Sequence, residues 1–368
     1  MTETVKANVQ NEVLSEVRGQ VGLITLNRPR ALNALSLGMV RELMAVLLAW
    51  QCDAKVLAVA IRGSNKEGPF GAFCAGGDIR FLHQAGSQGN PQLEDFFTEE
   101  YALNHLIHNY PKPYIAFMDG IVMGGGMGIS QGAALRIVTE RTKMAMPETA
   151  IGLFPDVGGG YFLSRCPGRV GEWLALTGDT IGADAAIAYQ LADGRLPADQ
   201  QGAVWDALGA QRFETGDEVK DFVASKFIAN SHDNYRTSSQ FDTYFALPAV
   251  GDIVKALESA ESDWERATAA TLRKRSPLML HVVLEQIRRA RTMDLADDLR
   301  MERDMVRHCF FLRPGQSETV EGIRALAVDK DHAPQWNPGH IEDVTPEMVA
   351  PFFVSPWPTH AHPLIALR

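Results

Sequence analysis

Glycine is concentrated at three points of the sequence, and this clustering constrains the fold more than any other feature. The clusters lie at residues 76–77, 124–128 and 158–160. Each follows a predicted strand or turn and precedes a helical pattern. Glycine lets a backbone approach a ligand closely but costs entropy on folding, so four glycines within five positions at 124–128 indicate a functional backbone site. Free N–H groups at a helix start can donate to a negative charge that develops on an oxygen.

The first part of the chain alternates strand-like and helical patterns. Short apolar runs predict strands at residues 21–26, 56–61, 114–118 and 134–139, and helical spacing predicts a helix at 34–50. After about residue 165 the pattern becomes helical, with amphipathic helices predicted at residues 217–230, 254–273 and 278–293. This order predicts an α/β fold with helices packed on a sheet. We expect the proline- and histidine-rich tail from Trp336 to wrap the surface irregularly.

Composition excludes several classes of protein. The 368 residues are 46% hydrophobic, which is sufficient for one large core with an appendage. The formal net charge of -10 argues against a nucleic-acid-binding surface, which usually needs a basic stripe. No apolar run approaches the roughly 20 residues of a membrane-spanning helix. We therefore expect neither a nucleic-acid partner nor a membrane.

Cysteine and histidine spacing predicts no metal site. The cysteines are widely spread, as expected for reduced thiols, at Cys52, Cys74, Cys166 and Cys309. His105 and His108 have HxxH spacing, but no acidic or cysteine partner stands at a zinc-site distance. Residues 1–11 are polar and resemble neither a secretory signal nor a transit peptide. The expected location is cytoplasmic.

Three known motifs compete for the cluster at 124–128. The spacing does not fit a dinucleotide-binding GxGxxG, and no Gly-Lys-Ser/Thr follows for a phosphate-binding loop. Residues 128–132 form a GxSxG, the pattern of a nucleophilic serine at Ser130. That pattern requires a strand directly before the serine, whereas Ser130 is predicted one turn inside a helix. For residues 73–78, the alternative to a site of backbone N–H donors is a simple tight turn.

Two acidic residues lie in apolar surroundings near the glycine clusters. Glu148 follows a proline between apolar residues, and Asp156 precedes the triple glycine. Desolvation in such a setting raises the pKa of a carboxyl, which suits acid–base or nucleophilic chemistry. The alternative is a helix-capping acid, and this alternative fits Asp156 better than Glu148.

Taken together, these segments resemble the crotonase (enoyl-CoA hydratase/isomerase) superfamily. Residues 26–35, LNRPRALNAL, are similar to its coenzyme A loop, and residues 73–78 and 124–126 are similar to its two oxyanion segments. By this resemblance, the N–H groups of Ala75 and Gly125 are the oxyanion donors. The resemblance implies a crotonase-like spiral of ββα units at 14–230, followed by a helical C-terminal region and irregular tail at 231–368.

Three further segments are similar to the 3-hydroxyisobutyryl-CoA hydrolase branch of this superfamily. They are PETAIGLFPDVGGGYFL at 147–163, KRSP at 274–277, and EGIRALAVDKD at 321–331 with its continuation to Trp336. Hydratases of the superfamily carry two catalytic glutamates, and the position of the first is occupied here by Gly128. Addition of water to a double bond needs both, so this departure favours the hydrolase branch.

The resemblance implies hydrolysis of 3-hydroxyisobutyryl-CoA, a step of valine breakdown, with no cofactor beyond the coenzyme A of the substrate. Glu148 would attack the carbonyl or activate water, and the sequence does not choose between these. Asp156 would orient the 3-hydroxyl or assist proton transfer, and Glu100 matches a substrate-pocket position. The candidates for coenzyme A binding, each of which could equally be an ordinary surface residue, are Arg28, Arg30, Leu32 and Arg80.

Two rival functions stay open at this stage. An enoyl-CoA isomerase also needs an oxyanion hole and a single carboxylate base. A non-catalytic acyl-CoA-binding homologue would retain the fold without turnover. Relatives of this superfamily often form trimers or hexamers, so a homo-oligomer is compatible with the sequence, although a longer helical C-terminus can cover that interface.

Overall fold

A sheet of mostly parallel strands runs through the part of the chain that this computed structural model describes, residues 11–230 and 235–368. The strands are β1 (Val13–Arg18), β2 (Val21–Leu26), β3 (Ala58–Asn65), β4 (Gly68–Pro69), β5 (Tyr114–Met118), β6 (Ile121–Met123), β7 (Leu135–Val138), β8 (Lys143–Ala145) and β9 (Gly194–Arg195). The helices of the first part are α1 (Leu37–Cys52), α2 (Ile79–Gln88), α3 (Gln92–His108), α4 (Gly125–Gln131), α5 (Gly159–Ser164), α6 (Val170–Thr177), α7 (Ala183–Ala188), α8 (Gln201–Ala210) and α9 (Gly216–Ala224). The later helices are α10 (Ser238–Phe245), α11 (Val250–Glu258), α12 (Asp263–Leu272), α13 (Pro277–Ala290), α14 (Leu295–Phe311), α15 (Glu318–Ile323) and α16 (Pro346–Val349).

The main sheet has the spatial order β1-β2-β3-β5-β7-β9, with β4 as a short antiparallel extension on β3. Only β1 and β2 pair antiparallel along this path, while the later neighbours are parallel. Parallel neighbours require a crossover connection, and the intervening helices provide it. The chain therefore returns repeatedly to the same edge of the sheet, where the connecting loops gather.

A second, shorter ladder runs beside the main sheet. β6 and β8 form a parallel pair, and isolated parallel bridges join Leu35 to Gly77 and Cys74 to Val122. Each turn of the chain thus adds one strand to the main sheet and one extended segment to the second ladder. The predicted spiral of ββα units is confirmed, and the glycine clusters at 76–77 and 124–128 lie in or directly after this second ladder.

Most predicted elements are present, and one predicted helix is divided. The strands expected at 21–26 and 114–118 have those bounds, and the strand expected at 56–61 starts and ends later, at Ala58–Asn65. The single helix expected at 254–273 is two helices, α11 and α12. Ser262 is extended between them, and acidic Asp263 begins the next helix, a position where the helix dipole favours a negative charge.

The C-terminal helices pack against the segment that follows β8. α13 lies on α5 and α6, and α14 lies on α3 and α5. One core cluster contains buried side chains from both regions, from Val13 to Leu364. The boundary between a core domain at 14–230 and a C-terminal region at 231–368 stays a prediction.

The tail is irregular, as predicted. It forms short 3-10 turns at Ile341–Asp343, Ala350–Phe353 and Thr359–Ala361, and it is anchored by the buried side chains of Phe352 and Leu364. None of the helices in the described part of the chain combines the length and apolar character needed to cross a membrane. The expectation about a signal or transit peptide falls on residues 1–10, which lie outside the described residues.

Candidate active site

A cavity of about 260 Å³ collects the predicted site residues from five separate segments. Its walls include Ala75, Glu100, Gly125, Glu148 and Asp156, and most of the remaining lining is apolar. The parallel crossovers bring these segments together, although up to 81 positions separate them in the sequence. The structure therefore brings these five residues together, whereas the chemical role of each residue stays a prediction.

Backbone N–H groups form one wall of this cavity. Gly125 is the first residue of α4, so its N–H has no acceptor within that helix. The Gly77 nitrogen lies 3.4 Å from the position that a Cβ on Gly125 would occupy. Among the described residues, neither N–H donates to a protein acceptor. This arrangement offers two neighbouring donors to one oxygen.

The predicted donor Ala75 is corrected by the structure. Its N–H already donates to the carbonyl oxygen of Leu32 at 3.0 Å, inside the second ladder. A group that holds this bond cannot also bind a substrate oxygen. Ala75 lines the cavity, but Gly77, two residues later, takes its place as the available donor beside Gly125.

Glu148 is held against the glycine cluster. It begins the 3-10 helix Glu148–Ile151 directly after Pro147, and its side chain is 7% exposed. A Cβ on Gly124 would lie 2.7 Å from the Glu148 Oε1, and Gly124 has φ +47°. Only glycine fits that position without strain. Burial first, and then the nearby Asp156, raise the pKa of Glu148 well above its usual value.

Asp156 is held by a tyrosine and a strained turn. The Tyr101 hydroxyl donates to Asp156 Oδ2 at 2.8 Å. Burial raises the Asp156 pKa from 3.8 to about 6, although the Tyr101 bond opposes this. The next residue, Val157, has φ +57°, a left-handed conformation that is unfavourable for a β-branched side chain by about 1–3 kcal/mol. The surrounding contacts must therefore hold this turn.

Those contacts come from α13 and α14, and they were not identified from the sequence. The buried carboxylate of Glu302 accepts from the N–H groups of Gly158 at 2.7 Å and Gly160 at 2.9 Å. The Gln286 amide donates to the carbonyl of Pro155 at 2.7 Å. The triple glycine therefore binds a carboxylate of the same chain and not a substrate. A lone buried glutamate 142 residues from Gly160 has no local signal in the sequence.

Glu100 is the third carboxyl in the cavity. It lies on α3 with 2% of its surface exposed, and its Oε1 has no partner among the described residues. Burial first, and then the charges of Asp156 and Glu148, raise the pKa of Glu100 well above its usual value. Like charges in one apolar site cannot all be carried at once. The three carboxyls therefore share protons as a coupled group.

Position 128, where a hydratase would carry its first glutamate, has no room for a side chain. A Cβ on Gly128 would lie 2.6 Å from the Cβ of Val157 and 2.9 Å from the Asn104 Nδ2. The GxSxG interpretation also fails, because the buried Ser130 hydroxyl donates to the carbonyl of Gly126 at 2.8 Å. Such a bond is typical of a helix-interior serine, so Ser130 does not point into the cavity.

The coenzyme A candidates are not gathered at one point. Arg28 pairs with Asp78 at 2.7 Å and Glu12 at 3.1 Å, so this guanidinium is already committed to two carboxylates. The ion pairs leave few donors on Arg28 for a phosphate, and its role in coenzyme A binding stays a prediction. Arg28 lines an open groove of about 720 Å³ together with Arg30 and Lys66. Lys66 was not identified from the sequence.

The other two coenzyme A candidates are exposed. Leu32 is 43% exposed in a left-handed turn, and Arg80 is exposed in the first turn of α2. Leu326, from the π-helix Arg324–Val328, lines the cavity that contains Glu148 and was also missed. Over residues 11–230 and 235–368, no three His, Cys, Asp or Glu side chains are placed to hold a metal ion.

The family assignment follows from comparison with known proteins. A family model described as enoyl-CoA hydratase/isomerase matches residues 21–353. The 3-hydroxyisobutyryl-CoA hydrolase, mitochondrial, of Gallus gallus is 37% identical over 354 residues, covering 92% of this chain and 87% of its own. The protein of the same name from Xenopus tropicalis is 39% identical over 352 residues, covering 94% and 89%.

Solved structures confirm the fold. One described as a carnitinyl-CoA dehydratase from Mycobacterium thermoresistibile has a TM-score of 0.86 and 35% identity, covering 97% of this chain and 99% of its own. One described as an enoyl-CoA hydratase from Rhodobacter sphaeroides 2.4.1 has a TM-score of 0.82 and 35% identity, covering 94% and 98%.

The expectation of a cytoplasmic location is overturned by the same comparison. The animal relatives that match more than nine-tenths of this chain are mitochondrial by name. Acidic composition and a polar first segment therefore do not identify the compartment.

Proposed function

This chain belongs to the enoyl-CoA hydratase/isomerase family, and we propose that it hydrolyses the thioester of 3-hydroxyisobutyryl-CoA to 3-hydroxyisobutyrate and coenzyme A. The observation that carries the proposal is a pair of N–H groups, on Gly77 and Gly125, that face the cavity of Glu148 and have no acceptor within the described part of the chain. The closed position at Gly128 and the matching names of the curated relatives support hydrolysis over hydration.

The thioester carbonyl oxygen would accept from the Gly77 and Gly125 N–H groups. Attack on the carbonyl carbon moves negative charge onto that oxygen. Preorganised donors then stabilise the transition state by roughly 3 kcal/mol each. Because the two glycines are held by the second ladder and the start of α4, the donors need no reorganisation during the reaction.

Glu148 is the group that starts the reaction in either of two ways. Its carboxylate attacks the carbonyl carbon, which forms a mixed anhydride and releases the coenzyme A thiolate, and water then cleaves the anhydride. Alternatively, it removes a proton from the attacking water. The burial that raises the pKa of Glu148 makes its carboxylate a stronger base once it is ionised.

Glu100 and Asp156 would recognise the 3-hydroxyl of the acyl group. Both lie in the same cavity as Glu148. The Glu100 Oε1 has no partner among the described residues, and such a buried oxygen loses free energy unless a ligand group satisfies it. A site built in this way rejects an acyl group that lacks the hydroxyl by a factor on the order of 10⁴ in kcat/KM. Side chains and backbone of this chain fill every role, so the proposal includes no cofactor.

Hydration and isomerisation are the competing reactions in this fold. The two solved structures bear the names of a dehydratase and a hydratase. Hydration uses a second glutamate at the position of Gly128, and Val157 and Asn104 fill the space such a side chain would need. An isomerase needs only one carboxylate, but it releases no thiol.

The test is thiol release from 3-hydroxyisobutyryl-CoA by the purified full chain, followed with a thiol reagent. We expect one thiol per substrate from the wild type, and a decrease in kcat of about 10²–10⁴-fold in Glu148→Gln. Ser130→Ala, which alters a buried hydroxyl outside the cavity, serves as the matched control and should retain activity. No thiol release by the wild type, or full activity in Glu148→Gln, would refute the proposal.

A further inference from the structure

A polar stripe on α3 leads towards the surface from the cavity that contains Glu148, which we call the acyl cavity. Glu100, Asn104 and His108 are spaced by four residues, so they lie on one face of the helix. Glu100 lines the acyl cavity, Asn104 is 3% exposed, and His108 is exposed. Buried polar side chains at this spacing are unusual on a helix face that packs against the core.

A second cavity of about 40 Å³ lies behind the acyl cavity, and the polar stripe opens into it. We call it the rear cavity. Asn104 and His108 form part of its wall, together with Gly128 of α4 and Gly132, which follows that helix. Val157 lines both cavities and forms part of the partition between them. The volume is sufficient for at least one water molecule.

Asn104 carries the unsatisfied polar groups of this cavity. Among the described residues, neither Nδ2 nor Oδ1 of its amide has a hydrogen-bond partner. Its Nδ2 lies 2.9 Å from the position that a Cβ on Gly128 would occupy, so the amide points across the space left by that glycine. Buried amides are normally bonded to protein or to ordered water, and here the described part of the protein supplies no bond.

Thioester hydrolysis consumes one water molecule per turnover. The water oxygen forms the new C–O bond, the C–S bond breaks, the sulfur receives a proton, and the carboxylic acid loses another to solvent. In the proposed reaction, the acyl group and thioester fill the acyl cavity, and the coenzyme A part of the substrate extends through its opening. When Glu148 acts as a general base, the attacking water must reach the carbonyl while the substrate is bound, so it needs another entrance.

We propose that the cavity behind Val157 binds water on Asn104 and supplies the water consumed in the reaction, with entry from the surface near His108. This inference rests on the proposed hydrolase function. It gives Asn104 a positioning role, because the residue acts on water and not on the substrate. It also assigns a function to Gly128 beyond the loss of a glutamate, since a side chain there would meet Asn104.

The first experiment is a crystal structure of the wild-type protein at a resolution that shows ordered water. We expect a water molecule in the rear cavity within about 2.7–3.2 Å of the Asn104 amide. A rear cavity without water, with the Asn104 amide bonded elsewhere, overturns the proposal. This experiment requires no turnover, so its outcome does not depend on the identity of the substrate.

The second experiment is kinetic and uses Asn104→Leu, which keeps the branching and the number of side-chain heavy atoms but cannot form a hydrogen bond to water. We expect kcat for thiol release to fall about ten-fold, the loss of one net hydrogen bond to the attacking water, with KM within about two-fold of the wild type. Asn104→Ser, which retains a hydrogen-bonding group, should recover most of the kcat. If the Asn104 amide binds no water and has only a structural role, Asn104→Leu should show the wild-type kcat and an unchanged or higher unfolding free energy.

The two proposals fail in different ways. An unchanged kcat in Asn104→Leu overturns the water route while leaving the hydrolase function intact. A wild-type protein that releases no thiol overturns the hydrolase function itself. If Asn104→Leu does not fold, Asn104→Ser and the wild-type crystal structure decide the question.

Discussion

Replacement of Asp156 by asparagine tests whether this site is held at a cost in stability. The Asp156 carboxyl is buried, and its pKa is raised from 3.8 to about 6 because burial disfavours the charged form. The folded protein therefore binds this proton more tightly than the unfolded chain does. The stability that this group contributes is present below about pH 4 and is lost as the pH rises through about 6.

The size of the effect follows from that difference in pKa. About two pKa units correspond to at most about 3 kcal/mol of unfolding free energy above pH 6. The asparagine side chain carries no charge, and its amide oxygen can still accept from the Tyr101 hydroxyl. We therefore expect Asp156→Asn to match the wild type near pH 4 and to exceed it by up to about 3 kcal/mol at pH 8, while activity falls.

The assay is urea unfolding of the wild type and Asp156→Asn at several values of pH from 4 to 8. The exposed Asp206 gives a matched control, and Asp206→Asn should change the unfolding free energy by less than about 0.5 kcal/mol. A difference between wild type and Asp156→Asn that does not depend on pH would refute the reasoning. So would a difference that favours the wild type at high pH.

Three other changes test separate parts of the site. Gly125→Ala places a Cβ 2.6 Å from the Glu100 Oε1 and should lower kcat for thiol release about 10²–10³-fold, because the oxyanion donor moves; equal kcat would exclude the Gly125 N–H. Gly128→Glu forces a side chain against Val157, so we expect a lower melting temperature and no hydration of an enoyl-CoA; a stable, hydrating variant would contradict the steric argument. Glu302→Gln leaves one acceptor oxygen for two N–H groups and should lower kcat about ten-fold, in the range of a slightly misplaced catalytic group; an unchanged pH–rate profile together with unchanged kcat would show that Glu302 does not position the active-site turn.

Local patterns in the sequence identified most of the fold and the residue types of the site. Apolar periodicity placed the main strands because a buried strand needs a continuous run of β-branched and other apolar side chains. It did not detect the break between α11 and α12, since both helices bury an apolar face and the spacing continues across the break. The glycine clusters were informative because few other reasons exist for so much backbone freedom in consecutive positions.

Roles that depend on distant partners were decided only by the tertiary structure. Ala75 was excluded as an oxyanion donor by the carbonyl of Leu32, which is 43 positions away in the sequence. The Arg28 guanidinium, a candidate for phosphate binding, is engaged by Asp78 and Glu12. In each case a hydrogen-bonding group was already in use, and its partner approaches it only after the chain has folded.

The sequence by itself therefore indicated an α/β fold, a backbone site rich in glycine and a glutamate in apolar surroundings, and its family resemblance implied the spiral of ββα units. The tertiary structure determined which N–H groups are free, how the Glu302 carboxylate holds the turn after Asp156, and why no side chain fits at Gly128. The physical reason is the distance along the chain between the residues that determine each property. Backbone freedom and apolar periodicity are properties of neighbouring residues, whereas hydrogen-bond occupancy, desolvation and steric exclusion depend on atoms that only the fold brings together.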